Sequence, residues 1–357
     1  MIKKIEQWIR PEIRKIGAYH VPDSAAMTKL DAMENPYSLP DDLLNRWLEE
    51  MRHASLNRYP DPVASELINC LQDELNLPAG QSILLGNGSD EIIQMLAMAV
   101  SGSNRVLLAP EPGFVMYKMI ATFVGMEYLG VPLDESFELD MVAMLAAIER
   151  HDPAIVFLAY PNNPSGNCWD RQAIISIIKA AHGLVVVDEA YFPFAEKSFM
   201  DDLGRFDNLL VMRTVSKMGL AGLRLGYLVG PDAWLQQINK VRLPYNINVL
   251  TQVSAKFLLD NKAVLEKQAA AIRSSRGELL AALRKMSALS VYPSDANFIL
   301  LRTEAGKADT IFNALKEKKI LIKNLNGGHP QLRDCLRVTV GTAEENQVFI
   351  NALQHAV

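Results

Sequence analysis

Cysteine is scarce. The chain carries three among 357 residues, Cys70, Cys168 and Cys335. They are odd in number and far apart, without the C-x-x-C spacing of a zinc or redox site, so they read as reduced, mostly structural thiols. The six histidines, His20, His53, His151, His182, His329 and His355, are equally scattered and form no H-x-x-x-H pair. No metal site is expected. Long apolar runs are missing as well: stretches such as Ile92 to Val100 fall well short of the roughly 20 residues that span a bilayer, so no membrane partner is expected. The N-terminal MIKKIEQWIRPEIRK has positive charge but no apolar stretch behind it, unlike a secretory signal, and the expected location is the cytoplasm. Basic blocks are also absent. Lysine and arginine total 36 against 41 acidic residues, a net charge of −5, which does not suit a nucleic-acid partner.

What is present is the mix of an ordinary globular protein, 49% apolar and 22% charged, and long enough for about two domains. Residues 1–38, with Pro11, Gly17, Pro22, Asn35 and Pro36, read as an irregular N-terminal arm. Helical spacing runs from Leu43 to about Met51, Tyr59-Pro60-Asp61-Pro62 breaks the chain, and a second helix is expected from Val63 to Leu75. The apolar runs at 106–109, 155–158, 184–187 and 209–212 look like strands buried on both faces. Helical stretches at 91–100, 139–150 and 171–182 alternate with them. That alternation predicts an α/β large domain, residues 39–245, with a mainly parallel sheet flanked by helices. A smaller α+β C-terminal domain, 246–357, follows. It is expected to hold one long helix from Val249 to about Met286, weakly interrupted at Gly277, and then strands at 288–292, 298–301, 320–322 and 336–340 with a helix at 310–318.

Ligands of open α/β sheets bind outside the carboxyl ends of the strands, and four apolar runs end in unusual residues. Gly86-Asn87-Gly88-Ser89-Asp90-Glu91 opens a helix and could cradle a phosphate on free N–H groups, or be a glycine turn with an N-cap. Tyr160-Pro161-Asn162-Asn163-Pro164-Ser165-Gly166 is a rigid turn that presents amides. A plain turn explains its prolines and glycine but not the asparagines between them. Asp188, in Val187-Asp188-Glu189-Ala190-Tyr191, closes an apolar strand; a carboxylate there is costly without a cation, unless it is a cap or half of an ion pair. Arg213-Thr214-Val215-Ser216-Lys217, followed by a glycine-rich stretch with Arg224, could hold a functional lysine or a surface one.

A phosphate cradle, a buried acid, an amide, a phenol and a lysine together are what pyridoxal phosphate requires: the lysine joins the cofactor covalently, and the acid keeps the pyridine nitrogen protonated. With Asn163, Asp188, Tyr191, Ser216, Lys217 and Arg224 in this order and spacing, the sequence resembles the fold-type I pyridoxal-phosphate aminotransferases, and among them the histidinol-phosphate aminotransferases most. The resemblance runs nearly end to end, from Tyr19 and Met33-Glu34-Asn35-Pro36 to Arg337-Val338-Thr339-Val340-Gly341-Thr342. It implies pyridoxal 5′-phosphate as cofactor, with Lys217, Asp188 and Tyr191 as the catalytic residues. Lys217 would attach the cofactor and shuttle the proton at the substrate α-carbon. Asp188 would meet the ring nitrogen, and Asn163 and Tyr191 the ring oxygen. Ser89, Asp90, Ser216 and Arg224 would hold the phosphate, and Phe114 would stack on the ring where a tyrosine is usual.

Tyr59 matches a residue that reaches the phosphate in the neighbouring subunit, which implies a homodimer with shared active sites. Tyr19, Asn35, Lys323 and Arg337 would touch substrate, Lys323 standing where a second arginine is common. The implied reaction is amino transfer between L-histidinol phosphate and 2-oxoglutarate, yielding glutamate. An aromatic-amino-acid aminotransferase or a phosphothreonine decarboxylase would keep the same fold and cofactor. A non-catalytic regulatory protein of this fold would carry a DNA-binding domain ahead of it, for which residues 1–38 are too short.

Overall fold

The structure, a computed structural model, describes residues 2–18 and 21–357. Its strands in chain order are β1 (Thr28–Lys29), β2 (Gln81–Gly86), β3 (Val106–Glu111), β4 (Glu127–Pro132), β5 (Ile155–Ala159), β6 (Leu184–Asp188), β7 (Leu209–Thr214), β8 (Gly226–Pro231), β9 (Leu289–Val291), β10 (Phe298–Thr303), β11 (Ile320–Leu321), β12 (Lys323–Asn324) and β13 (Cys335–Thr339). β5, β6 and β7 are buried at every residue, and their side chains divide by period two between two apolar layers. Val156, Leu158, Val185, Val187, Leu209 and Val211 face one layer. Ile155, Phe157, Leu184, Val186, Leu210 and Met212 face the other. Helices cover both faces, which is why these strands read as continuous apolar runs.

These strands are the middle of a seven-stranded sheet of order β2-β8-β7-β6-β5-β3-β4. β3 to β7 run parallel with β4, and β8 alone runs against both of its neighbours, β7 and β2. The chain moves outward from β3 to β4 and then crosses back to place β5 on the other side of β3. That reversal opens a crevice at the carboxyl ends of β3 and β5. Fold class is therefore as the alternation of apolar runs and helices indicated: α/β, with a mostly parallel sheet flanked by helices and a smaller second sheet.

The smaller sheet has the order β12-β13-β10-β9 and is antiparallel throughout. Its apolar face packs with residues of the helices Ala263–Leu283, Ala308–Glu317 and Ala343–Gln354. Two details differ from the sequence reading. The stretch expected as one helix from 249 to 286 is two, Val249–Asp260 and Ala263–Leu283. Gly277 does not interrupt the second, and a Cβ there would meet nothing within 4 Å. The break is at Asn261, whose side-chain amide donates to the Phe257 carbonyl at 2.8 Å and so ends the first helix with a polar group of its own.

The N-terminal segment is also less irregular than its composition suggested. It forms short helices at Ile2–Trp8 and Pro11–Lys15, and β1 pairs in parallel with β11. Leu30 and Met33 enter the apolar core of the small sheet, so an early segment is tied into the C-terminal part of the molecule. Among the described residues no helix is long and apolar enough to cross a membrane.

Candidate active site

One cavity at the carboxyl ends of the central strands is lined by Ser89, Asp90, Phe114, Asn163, Asp188, Tyr191, Ser216, Lys217 and Arg224. Nine separately chosen sequence positions thus meet in one place. Asp188, the last residue of β6, is 4% exposed. Its Oδ2 accepts from the Tyr117 hydroxyl at 2.6 Å and its Oδ1 from the Ala190 amide at 3.1 Å. Both donors are neutral, and burial pushes the carboxyl up to about 6. Glu189, next in sequence and equally buried, differs: Arg213 lies 2.8 Å from it.

Beside Asp188 runs a chain of polar side chains. The buried Tyr191 hydroxyl accepts from the Asn163 amide at 3.1 Å, and the Asn163 carbonyl oxygen accepts from Arg337 Nη1. Arg337 Nη2 also donates to the Asp31 carbonyl at 3.1 Å, and its guanidinium lies over the Phe298 ring, 5.1 Å from the centroid. A residue of the small sheet therefore reaches a turn of the large one. Tyr191 keeps its own proton for another acceptor, since its oxygen is already receiving one.

Lys217 sits in the short helical turn that follows β7, next to the buried Ser216. Its Nζ donates to the Ala32 carbonyl at 3.3 Å and lies 5.9 Å from the Tyr191 ring centroid. Burial, then the Arg337 charge, lowers the amine to about 8. Across the cavity, Gly88 caps the helix Ser89–Val100 without a side-chain bond, which leaves the first N–H groups open to an anion.

Packing there is tight. Gly88 has φ +82°, and a Cβ on it would come 2.5 Å from Arg224 Nη2. A Cβ on Gly226 would come 2.7 Å from the Ser89 nitrogen. Arg224 itself has φ +50°, a left-handed conformation that costs a non-glycine residue about 1–2 kcal/mol. Its bond to Asp90, at 3.4 Å, is between exposed groups and offsets little of that cost.

A second cavity shares Met33, Phe114 and Asn163 with the first, and is lined further by Glu111, His329, Lys323 and Arg337. Lys323 on β12 pairs directly with Arg337 on β13, so the two cations share one face of the small sheet. The remaining expected residues lie elsewhere. Asn35 lines neither cavity: its amide donates to the Met218 carbonyl at 3.0 Å and to Gln268 at 2.9 Å, and its oxygen accepts from the Tyr37 amide at 2.9 Å. It braces the turn that follows Lys217. Tyr59 is 80% exposed and stacks on Tyr245 at 4.4 Å. Tyr19 lies outside the described residues.

Tyr117 is the residue that sequence reasoning missed. Its signal was faint: it falls three residues after Phe114, the spacing that puts two side chains on one side of a helix. Nothing in a sequence indicates that the Asp188 carboxylate lies within reach.

The sequence pattern of the family "Aminotransferase class I and II" matches residues 25–353. The chain is 54% identical over 351 residues to histidinol-phosphate aminotransferase 2 of Nitrosococcus oceani, covering 98% of each chain. It is 51% identical over 350 residues to the histidinol-phosphate aminotransferase of Chromobacterium violaceum, again covering 98% of each. The crystal structure of histidinol-phosphate aminotransferase from Sinorhizobium meliloti in complex with pyridoxal-5′-phosphate has the same fold, with a TM-score of 0.87 at 23% identity over 98% of this chain and 97% of that one. On this match the chain belongs to the class I and II aminotransferases, pyridoxal-phosphate enzymes of fold type I.

Proposed function

We propose that this protein transfers an amino group between L-histidinol phosphate and 2-oxoglutarate, and that it does so in the cytoplasm as a homodimer with shared active sites. The observation that carries the substrate reading is the pairing of Lys323 with Arg337 on one face of the small sheet, in a cavity that shares Met33, Phe114 and Asn163 with that of Lys217 and Asp188. Two cations on adjacent strands suit the dianionic phosphate of an amino alcohol phosphate ester. Relatives at about half identity carry the same activity in their names.

The residues present fit pyridoxal phosphate. Asp188 is a buried carboxylate whose bonded partners are neutral, an arrangement that a cationic ring nitrogen would complete. The uncapped helix start at Ser89, crowded by Gly88, Gly226 and Arg224, suits the phosphate. When bound, the cofactor supplies an electron sink for negative charge at the substrate α-carbon.

The chain's own groups do the rest. Asp188 would hold the proton on the ring nitrogen. Tyr191, with its oxygen receiving the Asn163 amide, would offer its own proton to the ring oxygen. Ser89 and Asp90 through their main chain, with Ser216 and Arg224, would hold the phosphate, and Phe114 would pack on the ring. Lys217, lowered to about 8, has a neutral fraction near physiological pH, so it can act as nucleophile and then carry the proton at the α-carbon. Leu56, Val63, Leu243 and Leu250, each within five residues of Tyr59 or Tyr245 along the chain, are exposed as well. Exposed apolar residues of this kind support a second copy there, with Tyr59 serving that copy's site.

A donor screen tests this reading. With 2-oxoglutarate as acceptor and glutamate as readout, histidinol phosphate should exceed phenylalanine, tyrosine and aspartate in kcat/KM by about a hundredfold, the scale of one well-placed charged contact. Comparable rates with phenylalanine would make the protein an aromatic-amino-acid aminotransferase. Carbon dioxide release from phosphothreonine would make it a decarboxylase.

A further inference from the structure

We infer that Tyr117 is a positioning residue for Asp188, a buried phenol that holds the carboxylate in place as a charged acceptor for the ring nitrogen of the cofactor. The inference rests on the cofactor reading above and extends it to a residue outside the cavity lining. Tyr117 is 2% exposed and lies in the first turn of the helix Val115–Val124. Its hydroxyl donates to Asp188 Oδ2 at 2.6 Å.

The ring is held from two sides. It stacks on Phe157 of β5 at 4.6 Å with planes 15° apart, and meets Phe114 edge-on at 5.5 Å and 87°. Phe157 belongs to the strand beside β6, so the platform that sets the tilt of the phenol is packed against the strand that carries the acid. A buried phenol and a buried carboxylate each need a partner, and here each is the other's. Phe114 and Tyr117 are three residues apart at one helix start. One element thus places both the cover of the ring and the group that aims its acid.

The surroundings of Asp188 show what the bond is for. The titratable groups that face it are Asp90 from the helix Ser89–Val100, Glu189 from its own strand end, Tyr191 from the turn beyond, and Tyr117. Burial, and after it the fields of Asp90 and Glu189, favour the uncharged acid. The Tyr117 hydroxyl and the Ala190 amide work the other way. A hydrogen bond to the charged form stabilises that form, so Tyr117 favours the anion against the effect of burial.

Tyr117→Phe removes the donor and keeps the ring on Phe157. The readout is the magnetic resonance shift of an isotopically labelled ring nitrogen in bound pyridoxal phosphate, with kcat and KM for histidinol phosphate measured alongside. In the variant the resonance should move toward its unprotonated position, and kcat should fall about tenfold while KM stays within about twofold. Phe157→Leu, which loosens the ring without deleting its hydroxyl, should move the resonance the same way by less. If Tyr117 acts through the acid, Tyr117→Phe should change kcat less than about twofold in an Asp188→Asn background. An unmoved resonance in both single variants overturns the assignment, as does a full tenfold loss in the Asp188→Asn background. Wild-type protein that takes up no pyridoxal phosphate overturns the cofactor reading, and this inference with it.

Discussion

At the ends of β5, β6 and β7 the polar side chains stand on fully buried strands, whereas Lys323 stands on a two-residue strand at the edge of the small sheet. The inner groups are held from several directions: Asp188 by Tyr117 and Ala190, Tyr191 by Asn163, Asn163 by Arg337. At the edge, Lys323 is half-buried and has a strand neighbour on one side only. Charge in the inner region is desolvated, so its proton affinities depart from ordinary values. At the edge the lysine side chain remains near water. On the proposed function, the chemistry would belong to the first region and the choice of substrate to the second.

That division predicts a descending series of effects. Lys217→Ala should abolish both turnover and the visible absorbance of cofactor-loaded protein; borohydride-trapped label on a different lysine would break the assignment. Mixing such chains with inactive Tyr59→Ala chains and refolding them together should restore partial activity, because each mixed dimer would keep one intact site. No recovery in proven mixed dimers would mean that each site is built from one chain.

Asp188→Asn comes next, with a loss in kcat of roughly a hundred- to a thousandfold, the scale for one preorganised electrostatic group. It also has a stability signature opposite to that of an ordinary surface acid. The folded-state value of about 6 lies above the ordinary 3.8, so the folded protein binds more protons between those two pH values. Stability from this group is full below about 4 and lost as pH rises through 6. Compared with Asp188→Asn, the cofactor-free wild type should therefore lose about 3 kcal/mol over that interval. Denaturant titrations at pH 4 and 7 measure it; a flat difference would mean that Asp188 is not desolvated.

At the edge, Lys323→Ala should cost about 1.5–3 kcal/mol, or roughly one to two decades in kcat/KM, for histidinol phosphate. Phenylalanine should be almost unaffected, and Lys323→Arg should be tolerated because a guanidinium forks onto phosphate. Equal losses for both donors would assign Lys323 to the fold. The smallest effect is a shift in midpoint. In cofactor-free protein, amine-selective labelling of Lys217 should rise near pH 8, while exposed lysines follow a midpoint of about 10.4. Arg337→Gln should move the Lys217 midpoint upward, since the Arg337 charge is second only to burial in lowering it.

The inner region was also the more legible of the two. Strands buried on both faces have no polar alternation to blur them, so β5, β6 and β7 stood out as apolar runs, and the polar residues that ended them stood out in turn. The β12–β13 edge was harder: a two-residue strand leaves almost no pattern, and Lys323 entered only through the resemblance to a family. Asn35 entered in the same way; in the structure its amide donates to Met218 and Gln268 and its oxygen accepts from Tyr37.

By itself the sequence determined the α/β class, the glycine-rich turn at Gly86–Glu91 that opens a helix, and the acid, amide, phenol and lysine at the strand ends. These depend on local pattern: apolar runs, turn residues and the residue that follows each run. Only the tertiary structure decided the antiparallel pairing of β8 with β2, the pairing of β1 with β11, the reach of Arg337 to Asn163 and the bond from Tyr117 to Asp188. Each of these joins segments far apart in the chain, and a contact closed across such a distance leaves no periodicity in either segment. It is set by how layers of strands and helices pack, and so it exists only once the chain has folded.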